Sequence, residues 1–319
     1  MRLSIVVPCF NEEENIAELH RRVSDAASAV VGNEFELVLV NDGSRDNTWL
    51  VMTNLAATDP RVVAINLARN HGHQLALSAG LSLVSGERVL ILDADLQDPP
   101  ELLPQMMQLM DEGAEVVYGQ RIARSGETWF KRGTASLFYR LLHLLSETRI
   151  PPDTGDFRLM SRRTLDILNR MPERQRFVRG MVSWIGFRQV ALPYMRQERR
   201  AGTSNYPTRR MIRLALDAIT GFSTRPLRMA SLLGLVFGLI GCCGIVVSVI
   251  SWIGGHTIPG WTSVMVVILA LGGIQLTVLG IIGEYLGRLY LESKQRPLYL
   301  IDEVRRTRPT RTDQLSRGS

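Results

Sequence analysis

Short apolar runs alternate with longer amphipathic stretches through the first two thirds of the chain. Residues 3–8, 35–41, 62–67 and 89–92 are predominantly apolar, which is typical of strands in a parallel sheet that is covered by helices on both faces. Residues 12–31, 48–57 and 74–84 have helical patterns, and Asn11 is the expected N-cap of the first helix. The alternation predicts βαβ units. The expected fold is therefore α/β, a Rossmann-like parallel sheet with a site at the carboxyl ends of its strands.

Further elements are expected after the fourth strand. A helix begins at Pro99-Pro100 and runs to residue 112, and residues 116–119 and 155–160 form strands. Ser161 is expected to cap the helix that follows the second of these strands. Residues 129–145 are amphipathic, and residues 207–220 have one basic and one apolar face, which is typical of an interfacial helix.

A long uncharged region follows. From Met229 to Gly283 the chain has no Asp, Glu, Lys or Arg, and a bilayer core needs about 20 apolar residues per helical span. We therefore expect transmembrane helices at 229–253 and 261–283, the second continuing to 292, with a turn at 254–260. The alternative is a buried helical hairpin of a soluble protein, against which the length and the missing charges argue. The predicted boundaries are a globular domain at 1–206, an interfacial segment at 207–228, two spans at 229–292 and a basic tail at 293–319, disordered from residue 305.

Basic residues lie on both sides of the uncharged region, and the net charge is +6. They are Arg209, Arg210, Arg213, Arg225 and Arg228 before it, and Arg288, Lys294, Arg296, Arg305 and Arg306 after it. This is the positive-inside pattern of a multi-pass protein whose globular domain is cytoplasmic. Anionic lipid explains the pattern better than nucleic acid does, because the chain has no nucleic-acid-binding module. The three cysteines have neither disulfide nor metal-ligand spacing.

Asp93 and Asp95 follow the fourth predicted strand, and Gln97 continues the same spacing. Alternate residues of a strand point to the same side, so two carboxylates and an amide oxygen here favour a hard cation, Mg²⁺ or Mn²⁺. A cation in this place would neutralise a diphosphate and improve it as a leaving group. Two solvated acids at the start of a loop are an equally good interpretation of the triplet alone.

Asp42 lies at the end of another apolar run, within Asn41-Asp42-Gly43-Ser44. In a parallel sheet this carboxylate shares an edge with the acidic triplet, where it could accept hydrogen bonds from a ribose or a base. By itself, Asp-Gly is more simply a turn. The loop from Pro8 to Glu12 reaches the same edge, and three loops that converge on one edge favour a pocket.

Several segments together carry a family resemblance. They are residues 7–13 (Val-Pro-Cys-Phe-Asn-Glu-Glu), 40–44 (Val-Asn-Asp-Gly-Ser), 69–74 (Arg-Asn-His-Gly-His-Gln), 93–100 (Asp-Ala-Asp-Leu-Gln-Asp-Pro-Pro), 154–158 (Thr-Gly-Asp-Phe-Arg) and 199–206. The chain resembles glycosyltransferase family 2 over almost its whole length. Within that family it is similar to the polyprenyl-phosphate glycosyltransferases, which include dolichol-phosphate mannose synthase and bacterial undecaprenyl-phosphate sugar transferases. The resemblance implies a domain of the glycosyltransferase A type and a nucleotide-diphosphate sugar donor.

The resemblance also implies roles for single residues. Donor-binding residues would be Pro8, Phe10, Glu12, Asp42, Asp93, Arg199 and Ser204. Asp93, Asp95 and Gln97 would hold the metal, and Asp95 and Asp156 would be catalytic. Two positions depart from the pattern: Phe10 replaces the commoner Tyr, and Asn205 stands where Lys is frequent.

The role of Asp156 depends on the polyprenyl-phosphate acceptor that the resemblance implies. A sugar hydroxyl needs a general base, whereas a lipid monophosphate already carries about −1.5 to −2 charges at pH 7. Asp156 is therefore expected to orient the acceptor or to stabilise positive charge that develops on the sugar. Arg121, Lys131 and Arg132 are candidates for holding the acceptor phosphate, with attraction to the membrane surface as an equal alternative.

The expected function is inverting, non-processive transfer of one sugar from a nucleotide-diphosphate sugar to undecaprenyl or another polyprenyl phosphate, at the cytoplasmic face of the inner membrane. Glucose from UDP-glucose is the first expectation for the sugar, and a modified aminoarabinose the second. The alternatives are a processive polysaccharide synthase, whose usual Gln-x-x-Arg-Trp motif is not matched at Gln175, and a non-catalytic membrane partner. A flippase partner and a homo-oligomer are left open, the latter because of the small residues between Gly234 and Gly244.

Overall fold

The computed structural model describes residues 1–122, 154–174, 176–195, 225–254 and 260–307. The chain divides into two compact units. The first comprises Met1–Ser136, Thr148–Tyr206 and Arg296–Ser319, and the second comprises Leu137–Glu147 and Pro207–Gln295. The predicted amphipathic segments at 129–145 and 207–220 lie outside the described residues. So do Gln175 and four predicted site residues: Lys131, Arg132, Arg199 and Ser204.

The first unit is built on an eight-stranded sheet with the strand order β7-β5-β6-β4-β1-β2-β3-β8. The strands are β1 (Leu3–Cys9), β2 (Phe35–Asn41), β3 (Val62–Leu67), β4 (Arg88–Ile91), β5 (Val116–Arg121), β6 (Thr154–Ser161), β7 (Gln189–Tyr194) and β8 (Ile301–Arg305). All seven residues of β1 and of β2 are buried. That explains why these runs show no polar alternation, and it confirms the predicted α/β class.

The sheet is mixed rather than wholly parallel. Strands β3, β2, β1 and β4 are parallel neighbours, as the βαβ pattern predicts, and β5 pairs parallel with β7. Strand β6 runs antiparallel to both β4 and β5, and β8 runs antiparallel to β3. The expectation of a parallel sheet is therefore correct only for the first four strands and the β5–β7 pair.

In the part of this unit that the structure describes there are six α-helices: α1 (Ile16–Val31), α2 (Thr48–Thr58), α3 (His73–Leu83), α4 (Leu103–Asp111), α5 (Arg162–Arg170) and α6 (Val178–Ile185). Helix α1 begins later than predicted, because its N-cap is Asn15, not Asn11. Asn11 instead has a positive φ of 55° in the loop after β1. The cap of α5 is confirmed: the Ser161 side chain accepts a hydrogen bond from the backbone N–H of Thr164.

A single apolar core lies between the sheet and its helices. Phe35 and Phe157 are its largest fully buried side chains, and Leu3, Ile5 and Leu37 pack with them. Burying a side chain of this size contributes about 1.5–3 kcal/mol. The core thus fixes strands β1, β2 and β6, whose carboxyl ends or neighbouring loops carry most of the candidate site.

The second unit contains helices α7 (Arg225–Ile253) and α8 (Trp261–Ser293). At 1.5 Å per residue they are about 44 and 50 Å long, against a hydrocarbon core of about 30 Å. Both are long and apolar enough to cross a membrane, and their large apolar side chains are mostly exposed, among them Leu235, Leu239 and Leu279. Helix α7 begins before the predicted residue 229 and ends at the predicted residue 253, and α8 begins at the predicted residue 261 and ends just after the predicted residue 292.

Strand β8 was not anticipated, because residues 301–305 lie in the segment interpreted as a basic tail. It pairs with β3 through Ala64, Ile65 and Asn66. The chain therefore returns to the sheet of the first unit after α8, and Arg305 is the end of a strand rather than the start of a disordered tail.

Candidate active site

Three loops follow strands β1, β2 and β3 at one edge of the sheet, and hydrogen bonds join them. Asp42 is buried, and its two carboxylate oxygens accept from the backbone N–H groups of His71 (2.7 Å) and Gly72 (2.9 Å). Burial raises the pKa of Asp42, and these two hydrogen bonds oppose the rise. Asp42 is therefore more than a turn residue, since it organises the loop after β3.

Gly43 brings the second and third loops into direct contact. Its φ is +66°, and a Cβ here would lie 2.6 Å from the backbone nitrogen of Asn70 and 2.8 Å from the carbonyl carbon of Arg69. Backbone atoms cannot yield as a flexible side chain can. The Asp-Gly pair in the sequence thus reflects both a left-handed conformation and a close approach of two loops.

The loop after β1 is joined to the loop after β2. Asn11 donates its N–H to Ser44 Oγ (3.0 Å) and accepts from Arg45 N–H (2.9 Å) through Oδ1. The N–H of Glu12 donates to Thr48 Oγ1 (2.9 Å). Pro8 is buried within β1. Phe10, at 44% exposure, presents its ring to solvent, and an aromatic face of this kind suits stacking on a base.

Asp93 and Asp95 lie in the turn after β4, which ends at Ile91. The strand-alternation argument therefore does not apply to them. The turn is unusual, because Leu96 has a φ of 58°, a conformation that is uncommon for residues other than glycine. Asp95 Oδ1 accepts from the N–H of Gln97 (3.2 Å), and Gln97 is buried.

Asp93 faces the interior of the site. Its Oδ1 is buried and accepts no hydrogen bond from the described residues, although His73 Nε2 lies 3.5 Å away. Burial raises the pKa of Asp93 to about 6; the charge of His73 lowers it, and the nearby carboxylates add to the rise. A carboxylate in this condition would be stabilised by a cation.

Asp156 is the best-connected acid of the site, and it lies in the antiparallel strand β6. Its Oδ2 accepts from Gln74 Nε2 (2.8 Å) and lies 3.2 Å from His73 Nε2. Its Oδ1 lies 3.4 Å from Arg179 Nε. Residues of β6, α3 and α6 therefore meet at one buried carboxylate.

Two neighbours of Asp156 are themselves held in place. Gln74 accepts the N–H of Val178 through Oε1 (2.9 Å), which fixes the orientation of its amide. Arg158 is fully buried and donates to the carbonyl oxygens of Gly155 (2.9 Å) and Asp156 (3.3 Å). A buried charge is tolerated when it is paired and hydrogen-bonded. The two carbonyl oxygens supply the hydrogen bonds, and the nearby charge of Asp156 favours the charged form of Arg158.

The ionisation of this cluster has a clear direction. Burial alone would raise the pKa of Asp156, but the His73 hydrogen bond and the charges of Arg179 and Arg158 outweigh it, so the pKa is lowered. Burial lowers the pKa of Arg158 to about 10 despite Asp156. For His73, burial lowers the pKa, but Asp156 and Asp93 raise it more. Asp156 is therefore ionised at neutral pH and is a poor proton acceptor.

Arg121 belongs to a second cluster beside the acidic turn. Its Nε donates to Tyr194 OH (3.3 Å), and its Nη2 lies 3.8 Å from Asp98 Oδ1. Tyr194 also donates a short hydrogen bond to Asp98. A Cβ on Gly155 would lie 2.5 Å from Arg121 Nη2, so the glycine of Thr-Gly-Asp makes room for this guanidinium.

The residues fit a divalent cation held jointly with a ligand. Across the ranges that the structure describes, no three His, Cys, Asp or Glu side chains are grouped as a metal site. Asp93 and Asp95 nevertheless offer hard oxygen donors, and the buried Asp93 Oδ1 accepts no hydrogen bond there. Mg²⁺ is commonly bound by one or two carboxylates together with substrate phosphates, which matches this donor set.

The structure thus brings together Phe10, Glu12 and Asp42 in the joined loops, with Pro8 near the end of β1. It places Asp93, Asp95, Gln97, Arg121 and Asp156 in the acidic region. It adds residues that sequence analysis missed: His73, Gln74, Asp98, Arg158, Arg179 and Tyr194. Four of these residues lie within the family motifs, and their place there is the signal that could have identified them: His73, Gln74, Asp98 and Arg158. Arg179 and Tyr194 lie in none.

Comparison with known proteins identifies the family of this chain. The model of glycosyl transferase family 2 matches residues 4–168. The chain belongs to glycosyl transferase family 2. A second model, the GtrB C-terminal hairpin, matches residues 225–289, which include most of α7 and α8. This match and the two apolar helices indicate association with a membrane.

Relatives match over almost their full length. YkcC of Bacillus subtilis (strain 168), an uncharacterized glycosyltransferase, is 45% identical over 304 residues, which are 95% of this chain and 94% of YkcC. Bactoprenol glucosyl transferase of Shigella phage SfV is 41% identical over 302 residues, 94% of this chain and 98% of that protein. Staphylococcus aureus TarS 1–349 in complex with UDP-GlcNAc has a TM-score of 0.46 and 20% identity, covering 69% of this chain and 66% of that chain, which is too distant to inform the site. The expected family 2 glycosyltransferase is therefore confirmed.

Proposed function

We propose that this glycosyltransferase moves one sugar, glucose from UDP-glucose, to undecaprenyl or another polyprenyl phosphate at the cytoplasmic face of the bacterial inner membrane. The observation that carries the proposal is the set of contacts of the buried Asp156, whose carboxylate accepts from Gln74 and lies beside His73 and Arg179. Burial would raise the pKa of Asp156, but the His73 hydrogen bond and the charge of Arg179 lower it. A carboxylate whose pKa is lowered by such contacts is a weak base toward a hydroxyl acceptor. An acceptor phosphate needs no such base.

Two further observations support the acceptor. A relative with 41% identity over nearly its whole length is a bactoprenol glucosyl transferase. The apolar helices α7 and α8 would keep the chain in the membrane that holds such a lipid. A flippase that carries the product across the membrane is the partner that a cytoplasmic product would require.

The proposed reaction is a single displacement. An acceptor phosphate oxygen attacks the anomeric carbon, the bond from that carbon to the UDP oxygen breaks, and UDP departs with the electron pair. No proton is transferred, and the configuration at the anomeric carbon is inverted. Arg121 lies beside the acidic turn, and we assign it to bind the acceptor phosphate. Lys131 and Arg132 are proposed to bind the same phosphate.

Asp93, Asp95 and Gln97 would hold Mg²⁺ or Mn²⁺, which would neutralise charge on the diphosphate. Asp42, Glu12, Pro8 and Phe10 would hold the nucleoside, with Arg199 and Ser204 closing on the diphosphate. Asp156 would lie near the sugar, where its fixed negative charge stabilises the positive charge that develops at the anomeric carbon. Each of these assignments concerns a side chain of this chain and can be tested alone.

The test is direct. Purified full-length protein in detergent is incubated with radiolabelled UDP-glucose, undecaprenyl phosphate and Mn²⁺ or Mg²⁺, and the lipid product is analysed for sugar number and anomeric configuration. We expect one glucose per lipid, with inverted configuration, and far less product from Asp95→Asn. No transfer from any of a panel of nucleotide-sugars, or a polymeric product, would overturn the proposal.

A further inference from the structure

The segment that follows α8 is attached to the first unit along its length. The Arg296 carbonyl accepts from Arg174, and Tyr299 OH donates to Ser82 Oγ (2.9 Å). At the other end, Thr307 Oγ1 donates to the carbonyl of Ala56 (2.6 Å). Between these attachments lies β8, paired with β3. The segment is therefore an integral edge of the sheet.

One hydrogen-bonded route leads from β8 to the loop that carries Asp42. Asp302 Oδ2 accepts from Asn66 Nδ2 (3.1 Å), and Asn66 Oδ1 accepts from Asn41 Nδ2 (2.7 Å). Asn41 Oδ1 in turn accepts from the N–H of Ser44 (3.2 Å). Three side-chain amide or carboxylate groups thus connect β8, β3 and the loop after β2.

A second hydrogen-bonded route leads from Leu300, the residue before β8, to the carboxylate of Asp42 itself. The Leu300 carbonyl accepts from the N–H of Ala68 (2.9 Å), and the N–H of Leu300 donates to His71 Nε2 (3.4 Å). The N–H of His71 donates to Asp42. Burial and the charge of Arg69 lower the pKa of His71, which keeps its ring neutral and able to accept from Leu300.

We propose that β8 sets the position of the loops around Asp42, with Asp302 and the Leu300 N–H as positioning groups for the nucleotide-sugar. This rests on the proposed function, because it takes Asp42 to be at the donor site. Neither residue needs to touch the donor. The chain after the apolar hairpin would thereby control donor affinity, and residues 1–206 alone would be an incomplete donor site.

The experiment measures UDP binding by calorimetry, and KM and kcat for UDP-glucose, with the full-length protein and Mn²⁺ in detergent. Asp302→Ala removes the acceptor for Asn66, and Leu300→Pro removes the N–H that His71 accepts. Asp302→Asn retains an acceptor oxygen and is the rescue variant. Glu303→Ala is the matched control, because Glu303 pairs with Arg305 of the same strand.

Asp302→Ala and Leu300→Pro are expected to raise the Kd for UDP and the KM for UDP-glucose by about threefold to tenfold. This is the effect expected from the loss of about one hydrogen bond. Their kcat should stay within about twofold of wild type, and Asp302→Asn and Glu303→Ala should bind UDP as wild type does. If Asp302→Ala and Leu300→Pro both bind UDP with wild-type affinity, the inference about β8 is wrong, while the proposed function is unaffected. Equal weakening in Glu303→Ala would also overturn it, since it would show general destabilisation. If wild type binds no UDP, the inference and the proposed function both fall.

Discussion

Gln74 and Asp156 are 82 residues apart in the sequence and are joined by a 2.8 Å hydrogen bond from Nε2 to Oδ2. The same glutamine accepts the N–H of Val178, so one amide holds strand β6, helix α3 and helix α6 around the buried acid. An amide suits this position because it donates on one side and accepts on the other.

Replacing Gln74 by Glu should therefore lower activity. The new carboxylate can still accept from Val178, but it meets Asp156 with like charge. We expect kcat to fall by about 100-fold, the scale of a displacement of about 1 Å at a catalytic group. Steady-state kinetics would check this, with Gln108→Glu on the exposed face of α4 as the control. If Gln74→Glu keeps the wild-type kcat, Asp156 does not need the hydrogen bond from Gln74 for catalysis.

The acidic turn should respond to loss of charge. Asp93→Asn and Asp95→Asn each remove an anionic oxygen donor for a divalent cation, and the expected loss in kcat/KM is about 100-fold or more. The Mn²⁺ concentration for half-maximal activity should rise in both variants. Asp25→Asn, an exposed acid on α1, is the control. Metal dependence identical to wild type would remove these residues from the cation site.

Gly43→Ala should weaken donor binding. Its Cβ would strike the backbone of Asn70 and Arg69, which pushes apart the two loops that meet at Asp42. We expect KM for the nucleotide-sugar to rise about tenfold or more. Gly32→Ala is the matched control, because Gly32 also has a positive φ (+59°) but a Cβ there would meet nothing within 4 Å. In Gly32→Ala, the backbone strain of an alanine at positive φ costs about 1–3 kcal/mol of stability, and KM for the nucleotide-sugar should be unchanged. A KM change of the same size in both variants would contradict the loop-contact argument.

Asp59 should give part of the stability a dependence on pH. Hydrogen bonds from Arg61 hold its pKa well below the ordinary range, with burial opposing them and His20 adding to the effect. A carboxyl whose pKa is depressed on folding stabilises the protein above its unfolded pKa of about 3.9 and loses that contribution as the pH falls below it. The difference in melting temperature between wild type and Asp59→Asn should thus be full at pH 6 and shrink below about pH 4. A constant difference from pH 6 to pH 3 would contradict this.

The local elements were predictable where one physical signal dominated. Fully buried strands such as β1 and β2 require continuous apolar runs, and Ser161 caps α5 because its hydroxyl meets a free N–H. The apolar lengths of α7 and α8 were equally clear. Strand direction was not available in the same way, since nothing in the residues of β6 or β8 records which neighbour they pair with.

The candidate site was predictable as a set of loops but not as a set of contacts. Asp42, Asp93 and Asp156 stand in short motifs. The groups that set their ionisation come from other segments of the chain, such as Arg179 for Asp156 and His73 for Asp93. The N-cap at Asn11 was wrong for a related reason: the loop after β1 uses that side chain to bind the loop after β2.

The position of β8 in the chain has a consequence for biosynthesis. The ribosome makes both apolar helices before it makes Ile301–Arg305, so during translation β3 remains an open edge with unpaired backbone groups. The sheet can be completed only after the hairpin has been synthesised.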